Sequence, residues 1–435
     1  MVTRMTRADE ALATPLDELA AHGVVVGAVV AAKFRLEGVV GSGGMGVVFK
    51  AWHMELDEYV ALKFLLPSRA RDKELRERFS LEAKAAAKLR GEHVVRVHDV
   101  GTLDGEVPFI VMEFLDGRTV GAIINERGPL PVELACELTI QACEALAEAH
   151  GRGIVHRDVK PDNLVVTLGH DDTPLLRVVD FGISKVSLAL DPGRTNPGGT
   201  ILGTPYYMSP EQLDGGDELD ARSDIWSLGA VLFEMLAGRK AFTGQSFASL
   251  ASEILTQPPR QLRKIRFDAP EELERIVERC LAKKPQDRFA TVAELAAALE
   301  PFAPPEARSV AERTQRIVAS ASAIRAERPS GSSLDAAILS SAKMRARAPH
   351  ESPWRYLIDK DEVPTPRPFR ASTPPGAGAG GGDTARGEVI ADLEETQAGE
   401  RITAVIESAH RRRQLLLAAT LGGVFLASLV AYVTR

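Results

Sequence analysis

The sequence predicts an α+β fold, strand-rich first and helical afterwards, and three observations carry that reading. Short β-like runs separated by glycines and turns fill the stretch from 34 to 114. Apolar residues then recur at helical spacing from 131 to 151. After residue 302 the composition shifts to Pro, Ala, Ser, Arg and Gly, before a final uncharged run over 415–433.

The bulk numbers exclude some functions. A chain of 435 residues has room for two or three domains. Its 45% hydrophobic and 26% charged residues are ordinary for a globular protein with a sizeable core. A net charge of −7 argues against a nucleic-acid partner, which wants a basic footprint. Cys136, Cys143 and Cys280 show no CxxC spacing, so they read as reduced thiols packed as small hydrophobes in a cytosolic setting.

In order along the chain, residues 1–32 read as a partly disordered lead-in. It ends in the apolar run Val24-Val25-Val26-Gly27-Ala28-Val29-Val30, too short to span a bilayer. Acidic Asp9, Glu10, Asp17 and Glu18 precede that run, where a signal peptide would carry basic residues. Next, Gly41-Ser42-Gly43-Gly44-Met45-Gly46 lies between β-rich stretches. Glycines let a backbone come close to phosphates. A G-x-G-x-x-G alone is ambiguous, because dinucleotide-binding folds place it between a strand and a helix. Here Val47-Val48-Phe49-Lys50-Ala51-Trp52 follows and reads as a strand, which selects a strand–loop–strand phosphate cover.

A third strand, Tyr59-Val60-Ala61-Leu62-Lys63-Phe64-Leu65, sets one lysine among apolar neighbours. Taken alone, Lys63 would be a surface lysine on an edge strand. Residues 78–87 form a strong helix, on which Glu82, taken alone, would be one more solvated glutamate. Strands over 94–100 and 108–114 follow, with a Leu103-Asp104-Gly105 turn between them, and the second ends at Leu115-Asp116-Gly117.

The chemistry is concentrated in His156-Arg157-Asp158-Val159-Lys160-Pro161-Asp162-Asn163, on a tight loop after the 131–151 helix. Asp158 can take a proton from an alcohol, Lys160 can neutralise a phosphoryl group in transfer, and Asn163 can hold a metal. Asp180-Phe181-Gly182 comes next, after the β-like Leu176-Arg177-Val178-Val179.

The octet, followed by Asp-Phe-Gly at this distance, resembles the catalytic and magnesium loops of eukaryotic-type protein kinases, and the chain looks like a bacterial Hanks-type serine/threonine kinase. The resemblance covers residues 33–302 and implies a bilobal protein-kinase fold, with a β-rich small lobe to about 115 and a helical large lobe beyond. It implies ATP with Mg²⁺, or Mn²⁺ in its place. Gly41, Ser42, Gly43, Gly44, Met45 and Gly46 would cover the phosphates, and Val48, Ala61 and Val165 would line the ATP site. Met112 would be the gatekeeper, with backbone groups from Glu113 to Leu115 on the adenine. Lys63 would contact the α- and β-phosphates, paired with Glu82, since Glu74 and Glu77 fit the family's spacing less well. Asn163 and Asp180 would hold the metal, Asp158 would be the base, and Lys160 would offset phosphoryl charge. Lys160 two residues after Asp158 also favours serine and threonine over tyrosine. His156, Phe181, Gly182, Asp224 and the Glu211–Arg288 pair would be structural.

Between Asp180-Phe181-Gly182 and Ser209-Pro210-Glu211 the composition of Gly, Pro, Asn, Ser and Thr is that of a loop waiting to be ordered. A phosphothreonine there could pair with Arg157. Thr200, four residues before Thr204, is the first choice of phosphosite, with Thr195 and Ser187 after it. Thr204 itself would brace the catalytic Asp, and Ser209 stands where the family more often has Ala. A pseudokinase scaffold is disfavoured by intact Lys63, Asp158, Asn163 and Asp180, and a small-molecule kinase by Gly203-Thr204-Pro205-Tyr206-Tyr207-Met208-Ser209-Pro210-Glu211. An adaptor whose tether does the biological work is a third alternative.

Residues 303–414 read as a flexible tether, with at most a short helix near 319–327. The nineteen uncharged residues 415–433 would make a helix of roughly 28 Å, close to the hydrocarbon thickness of a bilayer. His410-Arg411-Arg412-Arg413 precede them and should stay in the cytoplasm. The expectation is a single-pass anchor in the inner (cell) membrane with a cytoplasmic kinase domain. Its partners would be protein substrates with Ser or Thr acceptors and a second copy for trans-autophosphorylation.

Overall fold

Two-residue alternation builds the small lobe. Strands β1 (Val29–Val30), β2 (Phe34–Ser42), β3 (Gly46–His53), β4 (Glu58–Leu65), β5 (Val97–Leu103) and β6 (Val107–Glu113) pair antiparallel in the order β1-β2-β3-β4-β6-β5. Along β3, Val47, Phe49 and Ala51 are buried and the residues between them are not, as a sheet with one wet face requires. That inner face packs on Leu36, Leu62, Phe64, Phe109 and Val111. Asp104 and Gly105, both at positive φ, turn β5 back into β6. The computed structural model describes residues 14–169, 173–181, 205–214 and 219–326.

Two boundaries in this lobe differ from expectation. The lead-in is folded from residue 14 onward: helix α1 (Pro15–Ala20) opens with a Thr14–Asp17 capping box, and Leu19, Val24 and Val30 are buried in the sheet's core. The strand expected over 94–100 starts at Val97. Val94 and Val95 instead tie down to Val178, whose carbonyl accepts from the Val95 N–H at 3.1 Å.

Helices α2 (Pro67–Ala70) and α3 (Lys73–Ala86) cross the sheet's edge. Asp72 caps α3, accepting from the N–H groups of Glu74 and Leu75. Its buried positions are Leu75, Phe79, Glu82, Ala83 and Ala86, one helical stripe with a single carboxylate in it.

The large lobe begins with β7 (Arg118–Thr119), α4 (Val120–Arg127) and α5 (Val132–Gly151), then β8 (Leu164–Leu168) and β9 (Pro174–Val178), which with β7 make a second small sheet. Helices α6 (Pro210–Leu213), α7 (Ala221–Ala237), α8 (Phe247–Thr256), α9 (Leu262–Ile265), α10 (Glu271–Cys280) and α11 (Val292–Leu299) follow. Helices α5 and α7 are buried almost all round and form the lobe's centre, where Trp226 stacks on Phe242 at 5.7 Å. The three cysteines are free and buried; burial pushes the thiols of Cys136 and Cys280 up to about 12, and that of Cys143 well above the ordinary value.

One further helix corrects the expected tether. Helix α12 (Ala307–Ala326) packs along α5, with Ala307 and Ala311 in the large-lobe core and Thr314 fully buried. Arg313 donates to both oxygens of Glu144 on α5 at 3.1 Å. The folded body therefore continues to 326 and does not stop at 302. The remaining stretch of the expected tether and the apolar run 415–433 lie outside the described residues. No helix among the described residues is long and apolar enough to cross a membrane.

Replacing Leu19 with alanine should cost about 2–5 kcal/mol, the range for a buried leucine. Urea unfolding checks this, and an unchanged midpoint would mean that residues 14–32 do not belong to the small-lobe core.

Candidate active site

The loop 156–163 is held from below by one buried carboxylate. Asp224, in the first turn of α7, is fully buried. Its Oδ2 accepts from His150 Nε2 at 2.7 Å and from the His156 N–H at 2.8 Å, and its Oδ1 accepts from the Arg157 N–H at 2.8 Å. Burial alone would raise its pKa; the hydrogen bond and charge of His150, with His156, outweigh that and hold it below the ordinary value. These bonds keep Arg157 at φ +66, a left-handed conformation uncommon for a residue with a side chain. Gln212 of α6 closes the same turn by donating to the Arg157 carbonyl at 2.9 Å.

His156 has no spare nitrogen. Its Nδ1 accepts from the Asp158 N–H at 3.2 Å, so its Nε2 donates to the Val179 carbonyl at 3.1 Å, beside Asp180. Its ring also lies 4.7 Å from that of Phe181. The histidine thus links the two chemical loops and carries no proton between them.

Above this base, Asp158 Oδ2 accepts from Lys160 Nζ at 3.0 Å and from Asn163 Nδ2 at 2.8 Å. The same Nδ2 donates to the Asp158 carbonyl at 2.8 Å. The carboxylate is therefore fixed in orientation, with its counter-charge alongside. With Nδ2 committed, Oδ1 is the side-chain atom that Asn163 can offer a cation.

Lys63 on β4 faces Val48 of β3 across the sheet. Its Nζ lies 2.8 Å from Asp180 Oδ1 and 3.6 Å from Glu82 Oε1. Burial works against its charge, but Asp180, Glu82 and Asp158 together raise its pKa above the ordinary lysine value. Glu74 and Glu77 turn outward, to Arg78 and Lys73. Asp180, like Arg157, has a positive φ, here +57.

The glycine loop joins β2 to β3. A Cβ on Gly46 would meet the Phe64 carbonyl oxygen at 2.0 Å, so that glycine is required by the fold itself. On Gly41, Gly43 or Gly44 a Cβ would meet nothing within 4 Å, so neighbouring protein atoms impose no such requirement there. Ser42 ends β2, and Met45 accepts through its carbonyl from the Leu66 N–H.

Ala61, Val95 and Met112 pack together with Val48, Phe114, Leu115 and Val179 around them. This is an apolar cluster of the kind that lines a flat ring. Glu113 N–H is committed to the Arg96 carbonyl at 2.9 Å. Val165 stands half-buried on β8, opposite Arg177. Val95, Phe114 and Val179 were not singled out from sequence.

Glu211 and Arg288 form a bidentate pair at 2.7 and 2.8 Å, and Ser223 Oγ donates to Glu211 at 2.7 Å. Burial would raise Glu211, but Arg288 and Ser223 hold it below the ordinary value. Gly182, Ser187, Thr195, Thr200 and Thr204 lie outside the described residues.

Asp180 and Asn163 offer two hard oxygen sites, a set suited to a cation such as Mg²⁺ that takes its remaining ligands from phosphate and water. Among the described residues no group of three His, Cys, Asp or Glu side chains forms an all-protein metal site. The site combines an oriented carboxylate with a lysine beside it, a second lysine held by a glutamate and an aspartate, and an apolar cluster.

The protein kinase domain matches residues 34–299. Serine/threonine-protein kinase pkn3 of Myxococcus xanthus is 36% identical over 278 residues, covering 63% of this chain and 51% of its own. Serine/threonine-protein kinase PknB of Mycobacterium tuberculosis is 37% identical over 298 residues, covering 66% of this chain and 47% of its own. The chain thus spans about half the length of the curated relatives it matches. The crystal structure of the Mycobacterium tuberculosis PknI kinase domain superimposes with a TM-score of 0.51 at 30% identity, over 64% of this chain and 100% of that one.

Arg288→Ala leaves Glu211 without its bidentate partner and should destabilise the fold by roughly 3–5 kcal/mol near neutral pH. Because the folded pKa of Glu211 is depressed, its contribution is present above the ordinary glutamate range and is lost as pH falls through the folded value. The gap between the wild type and this variant in urea titrations should therefore narrow with acidification; a gap that stays constant would refute the assignment.

Proposed function

Because this chain belongs to the protein kinase family, we propose that it is a bacterial serine/threonine protein kinase that transfers the γ-phosphoryl of ATP to hydroxyls of protein substrates. The observation that carries this reading is the Asp158 carboxylate, oriented by both Lys160 and Asn163.

The step divides among the residues as follows. Asp158 orients the acceptor hydroxyl and takes its proton as that oxygen bonds to the γ-phosphorus. The bond from the γ-phosphorus to the bridging oxygen breaks and ADP leaves. Lys160 offsets charge on the phosphoryl in transit. Lys63, braced by Glu82, holds the α- and β-phosphates beneath the backbone of residues 41–46. The slot around Ala61, Val48 and Met112 takes the adenine. Mg²⁺, or Mn²⁺ in its place, held by Asn163 and Asp180 would neutralise the phosphate oxygens.

Activation by autophosphorylation between two copies completes the proposal, at Thr200 first, with Thr195 and Ser187 as the alternatives. Arg157 supports it: its Nε is buried without a hydrogen-bond partner among the described residues. The membrane anchor at 415–433 rests on sequence alone, on an uncharged run long enough to span and the basic cluster before it.

Full-length protein with Mg-ATP should label itself, and Asp158→Asn should slow labelling at least ~10²-fold, the worth of a positioned base. Equal labelling of the two proteins would reject the mechanism. In cell fractions the protein should sediment with membranes after a carbonate wash, whereas recovery in the supernatant would remove the anchor.

A further inference from the structure

The large lobe has a second concave feature, built from different residues. Between the end of α7 and α9 lies a cavity of about 400 Å³ lined by Arg239, Arg260, Gln261, Lys264 and Ile265. Three of these five side chains are cationic and none is acidic. Neighbouring Arg263 and Arg266 are neutralised by Glu271 and Asp268. Arg239, Arg260 and Lys264 have no carboxylate within ion-pair distance among the described residues. In a chain of net charge −7, that unneutralised group is a local exception.

One residue of the cavity is anchored on both its backbone and its side chain. Arg260 is anchored through its N–H to the Ala241 carbonyl at 3.3 Å and through Nη2 to Thr243 Oγ1 at 2.8 Å. That bond uses one of the guanidinium's five N–H donors. Three residues beyond Lys264, Phe267 is 88% exposed, the most exposed large apolar side chain among the described residues. Aromatic and arginine side chains are the usual anchors of an interface. On the other side, Lys240, next to Arg239, lies 3.9 Å over the ring of Tyr206, and Tyr207 bonds to Glu234 of α7. The cavity therefore adjoins the segment that leads out of the candidate activation loop.

We propose that this cavity docks an acidic segment of the protein substrate, with carboxylates on Arg239, Arg260 and Lys264 and an apolar side chain against Ile265. The proposal rests on the protein-kinase reading. Charge complementarity selects the acid, because guanidinium and ammonium groups without partners bind carboxylates through charge-assisted hydrogen bonds. Because the acceptor in the protein-kinase reading is itself a protein, a peptide is preferred over an anionic bilayer as the occupant.

The test uses the full-length protein and a fluorescein-labelled Glu-Glu-Leu-Glu-Glu peptide, followed by anisotropy at low ionic strength, where screening is weak. The acidic peptide should bind and its all-glutamine counterpart should not. Arg239→Gln with Lys264→Gln should weaken binding about tenfold. Each single variant should show part of that loss, so the test survives if the double variant does not fold. With dephosphorylated β-casein as acceptor, KM should rise by a similar factor in the double variant while kcat and autophosphorylation stay unchanged. Equal peptide affinity in wild type and variants would overturn the proposal. So would a preference for phosphatidylglycerol vesicles over the peptide that the same substitutions abolish. Peptide binding without phosphate transfer to any acceptor would instead overturn the kinase reading on which the substrate role depends.

Discussion

The active site depends on the burial of Asp224. Three donors from two segments converge on one carboxylate that has no access to water. A buried charge is tolerable only when its lone pairs are filled, so these donors must stay where they are. Those bonds hold the backbone of His156 and Arg157, and through them the direction in which Asp158 leaves the loop. The left-handed φ of Arg157 is the local cost of that arrangement, sustained by a carboxylate that cannot relax away.

From this base the site is assembled by pairing rather than by proximity alone. His156 uses one ring nitrogen on the Asp158 backbone and the other on Val179, so the base loop and the loop carrying Asp180 are tied together. Lys63 bridges Glu82 and Asp180 and so connects α3 to the loop carrying Asp180 across the lobe boundary. Chemistry that moves a phosphoryl group needs mostly charge in fixed positions. Asp224 and Lys63 are held by partners from other elements, and Asp158 by Lys160 and Asn163 of its own loop.

Much of this was legible in sequence because the chemistry dictates residue types at fixed offsets, as in Asp158, Lys160 and Asn163. Glu82 was legible only through the family's spacing: alone it reads as a solvated glutamate, and its burial beside Leu75, Phe79, Ala83 and Ala86 shows only once the helix is packed. The ring slot was only partly legible. Val95 and Val179 reach it through a tie between residue 95 and β9, a long-range contact that leaves no periodic mark. Helix α12 was hidden because its buried positions are Ala307, Ala311 and Thr314, small side chains with little hydrophobic signal, while Val310, Ile317 and Val318 are only partly buried. The α1 helix did carry a local sign, the Thr14–Asp17 capping box, in a stretch whose composition suggested disorder.

Helix α12 has a mechanical consequence. Arg313 grips Glu144, and six residues further along the same α5 rod, less than two turns, His150 grips Asp224. The last described helix and the keystone of the catalytic loop are thus fastened to one stiff strut. A pull on α12 would meet that strut first, and from His150 the path through Asp224 to the backbone before Asp158 is only two hydrogen bonds long.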